Sequence, residues 1–407
     1  MGQFDSLRYR DYRLVWTGAF LSNVGTWMQS IALNGYVLLL THSTFWVSFV
    51  TFINFMPTVI SPIGGAYSDR VDRRRILVVT QTFMMVDAAV LALWVWLGHA
   101  GLAPVLILTF GLGLAVGFNN PTWMAFVPSL VPSESLVNAI ALNSGQFSLA
   151  RVIGPAIAGP LIGAIGAAWV FGINALSFVA VLIPLVLVSS RPVAPAPGRD
   201  LRDLLRDGFR YTMANRRIRS GIGAIAVASF FAAPVSALMP IFTTDVYHRG
   251  AAGYGGLAAS MGIGSVIGAL GIARLGNRVS PALIGASLAL LGASLFGFAV
   301  VSNYLAGLVL LAAFGFMLLV AIAATNGDIQ LHVDEAMRGR VLSLYFLSFG
   351  GLFPLGALAA GGIASVVGVQ ATTAGGAAFC IAWGVWLYLR FRGAAAPGAA
   401  PAFEPGA

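Results

Sequence analysis

Few residues in this chain could carry chemistry, and most of them stand inside apolar sequence. Arg151 and Asp87 each fall near the middle of a long apolar run. An arginine at the centre of a membrane helix costs roughly 2.5–3.5 kcal/mol to insert, so such a group turns to a partner or a cavity. The planar guanidinium of Arg151 suits an anion or a carboxylate, or else packing through bonds to backbone carbonyls; a buried carboxylate at Asp87 suits a local buried hydrogen bond or a proton carrier. Asp245 and Asp328 stand near the ends of apolar runs, where a cavity mouth and a solvated helix end are equally open. The densest charge is in "GGAYSDRVDRRR", Gly64 to Arg75, where six of twelve residues are charged in a chain that is only 9% charged. The histidines His42, His99, His248 and His332 lie far apart, and no metal-ligand spacing occurs. No nucleophile–base pair is visible, so no enzyme, metal site or cofactor is expected. All 23 basic residues are arginine. Without lysine there is no Walker A loop and no fused ATPase of that type.

The elements that hold these residues must be membrane helices. The chain has 407 residues, 58% of them hydrophobic, and a mean hydropathy of +0.87. Twelve apolar runs are long enough to span a bilayer, at 14–40, 46–66, 76–98, 104–126, 137–163, 167–189, 220–244, 253–273, 279–301, 304–326, 341–366 and 370–391. With both termini cytoplasmic, 21 of the 23 arginines fall on the cytoplasmic side; Arg249 falls outside and Arg151 within a span. This clustering between spans explains the net charge of +9 and speaks against nucleic acid as a partner. Arg8, Arg10 and Arg13 lead directly into the first run, so no cleavable signal peptide is expected. The lone Cys380 reads as a buried thiol.

The organisation is expected to be two six-helix halves, 1–190 and 220–391, joined by a cytoplasmic linker, 191–219, with a flexible tail at 392–407. The linker opens with the stiff "RPVAPAPG" and continues as an amphipathic helix, with Leu201, Leu204, Leu205 and Phe209 on one face. An offset of 206 residues matches Asn120 with Asn326, Gly145 with Gly351 and Phe147 with Phe353, which indicates a parallel repeat. Glycines in the fifth, eighth and eleventh runs (Gly159 and Gly163, Gly264 and Gly268, Gly356 and Gly361) are expected to form packing seams between the halves. Asn23, Trp27, Gln29, Asn34 and Phe230 are expected to line a central cavity suited to a small molecule with rings.

The stretch "GAYSDRVDRR", Gly65 to Arg74, resembles the major facilitator signature Gly-x-x-x-Asp-Arg-x-Gly-Arg-Arg, with Asp72 in place of the second glycine. The resemblance implies an all-α membrane fold of twelve transmembrane helices in two pseudo-symmetric halves. It also implies a gate in which Asp69 meets the positive N-terminal end of the eleventh helix in the outward-facing state. Gly65 would allow close helix approach, and Arg70, Arg73 and Arg74 would join a cytoplasmic charge network; Arg338 and Arg340 stand in a cytoplasmic loop of the C-terminal half. "RVIGPAIAG" partly resembles the antiporter motif of facilitator exporters, through Arg151, Gly154, Pro155 and Gly159. Longer segments, among them "NNPTWMAFVPSLVPSESLVNAIALNSGQFSLARVIGPAIAG", are similar to bacterial exporters related to the enterobactin exporter. Relatives commonly carry an arginine where this chain has Trp123, and that group is lost here.

The resemblance implies a multi-pass transporter of the bacterial inner membrane. It would export a siderophore- or drug-like molecule by alternating access, as a monomer in the lipid bilayer, with the proton gradient as energy source. An importer or uniporter of the same fold, and a non-transporting membrane sensor, are the alternatives. The arginine bias predicts that a reporter fused near Ala196 stays cytoplasmic and that a tag near Gly250 is external. External labelling at Ala196 in intact cells would overturn the span assignment.

Overall fold

The computed structural model describes residues 5–68, 71–99, 101–188, 201–275 and 279–392. The first helix is Arg10–Thr41. The second is built in three pieces, Thr44–Phe55, a 3-10 segment Met56–Ile60, and Ser61–Ser68. Pro57 has no N–H for an α-helical bond, which explains the break. The third to sixth helices are Arg73–Trp96, Leu102–Phe126, Leu136–Ile165 and Ala167–Leu187. A linker helix, Leu201–Ala214, follows. The seventh helix starts at Arg216 and reaches Val246 through two π-turns. The eighth to twelfth are Ala251–Leu275, Pro281–Val300, Tyr304–His332, Arg338–Val367 and Val369–Phe391. Ten of these are long and apolar enough to cross a membrane by themselves. With the more polar first helix and the broken second, the count is twelve.

Local chemistry sets the ends. The seventh helix begins four residues earlier than its apolar run because the Asn215 side chain accepts from the N–H groups of Arg217 and Ile218. Asp72 caps the third helix, accepting from the Arg74 N–H at 2.9 Å. Arg74 donates through Nε to the Leu185 carbonyl at 2.5 Å and through Nη2 to that of Val186. Arg73 donates to the Ala125 carbonyl at 3.1 Å. These two arginines thus serve orphan carbonyls at the ends of the sixth and fourth helices. Helix direction alternates, so both described chain ends, the linker helix and these arginines lie at one end of the bundle, the arginine-rich end.

The repeat is real, but its register differs from the expectation of 206. Leu136 and Arg338, Ile165 and Val367, and Ala167 and Val369 each stand 202 residues apart. So do the two turn glycines Gly166 and Gly368, both in the left-handed region at φ 84° and 88°. The first and seventh helices start 206 apart, at Arg10 and Arg216, the second and eighth 207 apart, at Thr44 and Ala251, and the third and ninth 208 apart, at Arg73 and Pro281. A four-residue slip is about one helical turn, so it preserves which face a residue occupies and is easily missed.

The 202 register pairs Gly154 with Gly356 and Gly159 with Gly361, and each pair does one job twice. A Cβ on Gly154 would meet Trp27 and Val24 of the first helix; one on Gly356 would meet Phe230 of the seventh. Both contacts lie within a half. A Cβ on Gly159 would come 2.8 Å from the Ala251 carbonyl of the eighth helix, and one on Gly361 would collide with Ser48 of the second. Those two contacts join the halves, far from the arginine-rich end. The expectation that all six glycines form seams between halves is therefore corrected. Gly264 and Gly268 admit the tenth helix at Ala312 and Phe316, within their own half, and Gly163 faces open space.

Ion pairs hold the arginine-rich end of the second half. Arg217 grips Asp328 in a fork, with Nε at 3.0 and 3.1 Å and Nη2 at 2.5 Å from the carboxylate. Asp328 is only 3% exposed, so it is neither a cavity mouth nor a solvated end. Asp245 is exposed and accepts from Thr244. The linker helix docks on the start of the eleventh helix: Arg340 donates to Asp207 at 2.8 Å, and Gly208 lies against the Arg340 backbone. Phe209 is exposed beside Arg206 and Arg210, on the side away from the buried Gly208 and Thr212. The side chains of Leu201, Leu204 and Leu205 lie outside the described residues.

The seams generate a prediction. Gly361→Val overpacks the contact with Ser48 and should wedge the far end apart. Asn34→Cys, buried there in the parent, should then react severalfold faster with an impermeant maleimide. Gly362→Val, whose Cβ meets open space, should leave the rate unchanged. Equal rates in both variants would contradict the seam.

Candidate functional site

A cavity of about 380 Å³ lies between the first, third, fourth, fifth and sixth helices. Its lining comes from the half of each helix nearer the arginine-rich end, and its rim residues Asn120, Met124, Ser144, Phe147 and Ser148 are exposed. The halves meet instead at the far end, through Gly159 and Gly361 and through Asn34, whose Nδ2 donates to the Tyr254 hydroxyl at 3.4 Å.

The cavity wall is a chain of carboxamides. Asn23 donates to Gln146 Oε1 at 3.2 Å, and Gln146 donates to Asn143 Oδ1 at 3.4 Å. Asn143 also accepts from the Trp123 indole N–H at 3.0 Å. Next to them, Asn119 Oδ1 accepts from Thr80 at 3.0 Å and from Gln81 at 3.1 Å. Of these carboxamides the sequence reading points to Asn23 alone. The others were spread over positions 81 to 146; the available signal was the density of Asn and Gln at the ends of the fourth and fifth apolar runs.

One turn deeper, Arg151 lies over the Trp27 ring, 5.4 Å from its centroid. Phe147 meets the same ring edge-on at 5.9 Å. Gly154 lets the fifth helix approach Trp27 closely enough for this stack. Arg151 has no ion-pair partner among the described residues, and its Nε is buried without a hydrogen bond. A cation–π contact of about 2 kcal/mol in a desolvated site offsets much of the insertion cost. Gly262 of the eighth helix packs on the Arg151 carbonyl, so this arginine stands where the halves join.

The remaining expected residues separate. Pro155 and Gly159 pack on Gly255 of the eighth helix. Gln29 is buried and accepts from Asn174 at 2.6 Å, which ties the first helix to the sixth and takes Gln29 out of the cavity lining. Asn34 belongs to the far seam. Phe230 stands on a π-turn, stacked edge-on against Phe231 at 4.9 Å. Asp87 is 4% exposed on the third helix, away from the cavity lining, and neither carboxylate oxygen has a partner among the described residues. A Cβ on Gly65 would have ordinary room, 3.7 Å from Pro121; the close approach to the fourth helix is at Gly64, where a Cβ would come 2.8 Å from the Gly117 carbonyl. Asp69 and Arg70 lie outside the described residues. The described hydrogen bonds of Arg73 and Arg74 go to carbonyls, as given above. Arg338 is exposed at the start of the eleventh helix, while Arg340 is held by Asp207.

If Arg151 serves an anion through its fork, Arg151→Lys and Arg151→Ala should both lose most flux per folded molecule, with Arg151→Ala expressed at least as well as the parent. Normal flux per molecule in Arg151→Ala would leave it a packing residue.

Comparison with known proteins agrees with this architecture. The family model described as transmembrane secretion effector matches residues 1–399. Enterobactin exporter EntS of Escherichia coli O1:K1 is 29% identical over 341 residues, covering 82% of this chain and 80% of that one. The protein of the same name from Shigella boydii serotype 18 is 28% identical over the same coverage. Among solved structures, a bacterial homolog of the human lysosomal transporter Spinster, inward-facing and unoccupied, superposes with a TM-score of 0.74 at 13% identity, covering 94% of this chain and 96% of that one. A bacterial homologue of the iron transporter ferroportin, inward-facing, gives 0.69 at 17% identity, covering 94% and 99%. The chain belongs to the transmembrane secretion effector family of major facilitator transporters, which are not enzymes.

Proposed function

We propose that this transporter exports a small organic molecule, siderophore- or drug-like, across the bacterial inner membrane by alternating access. The arginine-rich end is cytoplasmic in this reading, by the positive-inside bias. The observation that carries it is the cavity: it is rimmed by exposed residues at the arginine-rich end, while glycine seams join the halves at the far end. Such a state loads from the cytoplasm. The exporter names of the relatives support the direction.

Proton antiport supplies the energy in this proposal. Asp87 is its carrier, a carboxylate buried without described partners. Asp69 is the latch of the opposite state, drawn to the N-terminus of the eleventh helix when the arginine-rich end closes. In the present state Arg340, two residues into that helix, is occupied by Asp207.

Inverted membrane vesicles with an imposed pH gradient test this. Siderophores, dyes and antibiotics should be screened for uphill uptake that collapses with the gradient. Asp69→Asn should insert normally yet lose most uptake, because a helix-dipole term of about 0.3–2 kcal/mol shifts a balanced equilibrium severalfold. Uptake indifferent to the gradient would remove proton coupling, and full uptake by Asp69→Asn would reduce that stretch to a topology signal.

A further inference from the structure

The carboxamide wall narrows the chemistry of the substrate, and this step rests on the export reading above. Among the described lining residues there is no aspartate, glutamate or arginine. The polar groups are carboxamides and hydroxyls, which both donate and accept but carry no charge. One of them is left open: Gln81 is only 5% exposed, lines the cavity, and has an Oε1 with no hydrogen-bond partner. A buried acceptor without a donor is destabilising, and a ligand N–H or O–H would satisfy it.

The opposite half does not repeat this wall. At the 202 offset, Ala321 and Ile322 stand where the first half has Asn119 and Asn120, and Tyr345 and Ser348 where it has Asn143 and Gln146. The Tyr345 hydroxyl is already committed, donating to the Ile322 carbonyl at 2.9 Å. At these equivalent positions the second half offers fewer free donors and acceptors; its own carboxamide pair, Gln330 donating to Asn326, stands nearer the arginine-rich end of the tenth helix.

We infer that the carboxamide pocket binds an uncharged group rich in both donors and acceptors, such as an amide, a urea or a polyol, on an otherwise apolar molecule. It discriminates against cations, since a desolvated ammonium would find no counter-charge. The π faces of Trp123 and Phe147 are the feature that would favour a cation instead, and the test is built to expose that.

The probes are two dansyl compounds that differ only in the head group, dansyl-glycylglycinamide and a dansyl trimethylammonium. Binding to the full-length protein in nanodiscs is read by energy transfer from tryptophan. The amide probe should bind saturably and about tenfold more tightly than the cation. Gln81→Leu and Gln146→Leu should each weaken it about tenfold without changing the cation. Gln146→Glu, nearly isosteric, should reverse the preference. Val137→Ala, outside the pocket, should change nothing. Equal or tighter cation binding, no saturable amide binding, or an amide affinity unmoved by all three glutamine variants would overturn the inference. Flux of the amide probe into inverted vesicles separates the two readings. Binding without flux contradicts export and leaves the pocket chemistry standing. Flux unmoved by the glutamine variants does the reverse.

Discussion

Close helix approach at glycine is the constraint on which this structure depends. Lipid gives no hydrophobic drive for helices to associate, so packing must come from close approach. Gly159 against the Ala251 carbonyl and Gly361 against Ser48 supply that between the halves. The hydrogen bond described at that end is Asn34–Tyr254, and nearer mid-depth Phe55 of the second helix meets Phe353 of the eleventh edge-on at 5.0 Å. Smooth surfaces of this kind can part and re-form, whereas interlocked side chains would fix one state. Within each half the same device, at Gly154 and Gly356, sets the first helix on the fifth and the seventh on the eleventh. Each half can then move as a unit while the seams between halves open and close.

Charge is placed to protect those units. Arg73 and Arg74 cap carbonyls of the fourth and sixth helices, and Arg217 locks the seventh helix to Asp328 of the tenth. Breaking such a buried pair by removing one partner costs about 3–5 kcal/mol, enough to keep the second half rigid through a cycle. Arg340 differs, because its partner Asp207 is on the linker helix and nearly half exposed. That pair is the exchangeable one. Arg151 differs again: it is a cation resting on an aromatic ring with part of its donor set unused, at the depth where the halves join.

Much of this was legible in sequence because the bilayer imposes strong rules. Apolar runs located twelve spans, and the arginines around them gave a consistent orientation. Other features were legible only in outline. Identities suggested a repeat, yet Asn120 with Asn326 misplaced it by one turn, because a turn's slip keeps the face and only helix ends reveal it. Gln29 looked like a cavity residue, but periodicity cannot say that Asn174, 145 positions later, faces it. The carboxamide wall was hidden for the same reason: Gln81, Asn119, Asn143 and Gln146 come from three helices, and nothing local links them. Gly64 and Gly65 are adjacent, and only the position of the fourth helix shows which one is pressed.

The central claim is that the halves rock about the far-end seams, opening one end as the other closes. Double electron–electron resonance measures this directly. One spin-label pair would be placed at Val137 and Leu331 near the arginine-rich end, and another at Leu39 and Leu305 near the far end; all four sites are exposed. The account predicts two distance populations for each pair, with the long population at one end rising as the other falls when pH or substrate is changed. A single unchanging distance at both ends, or both ends lengthening together, would contradict it.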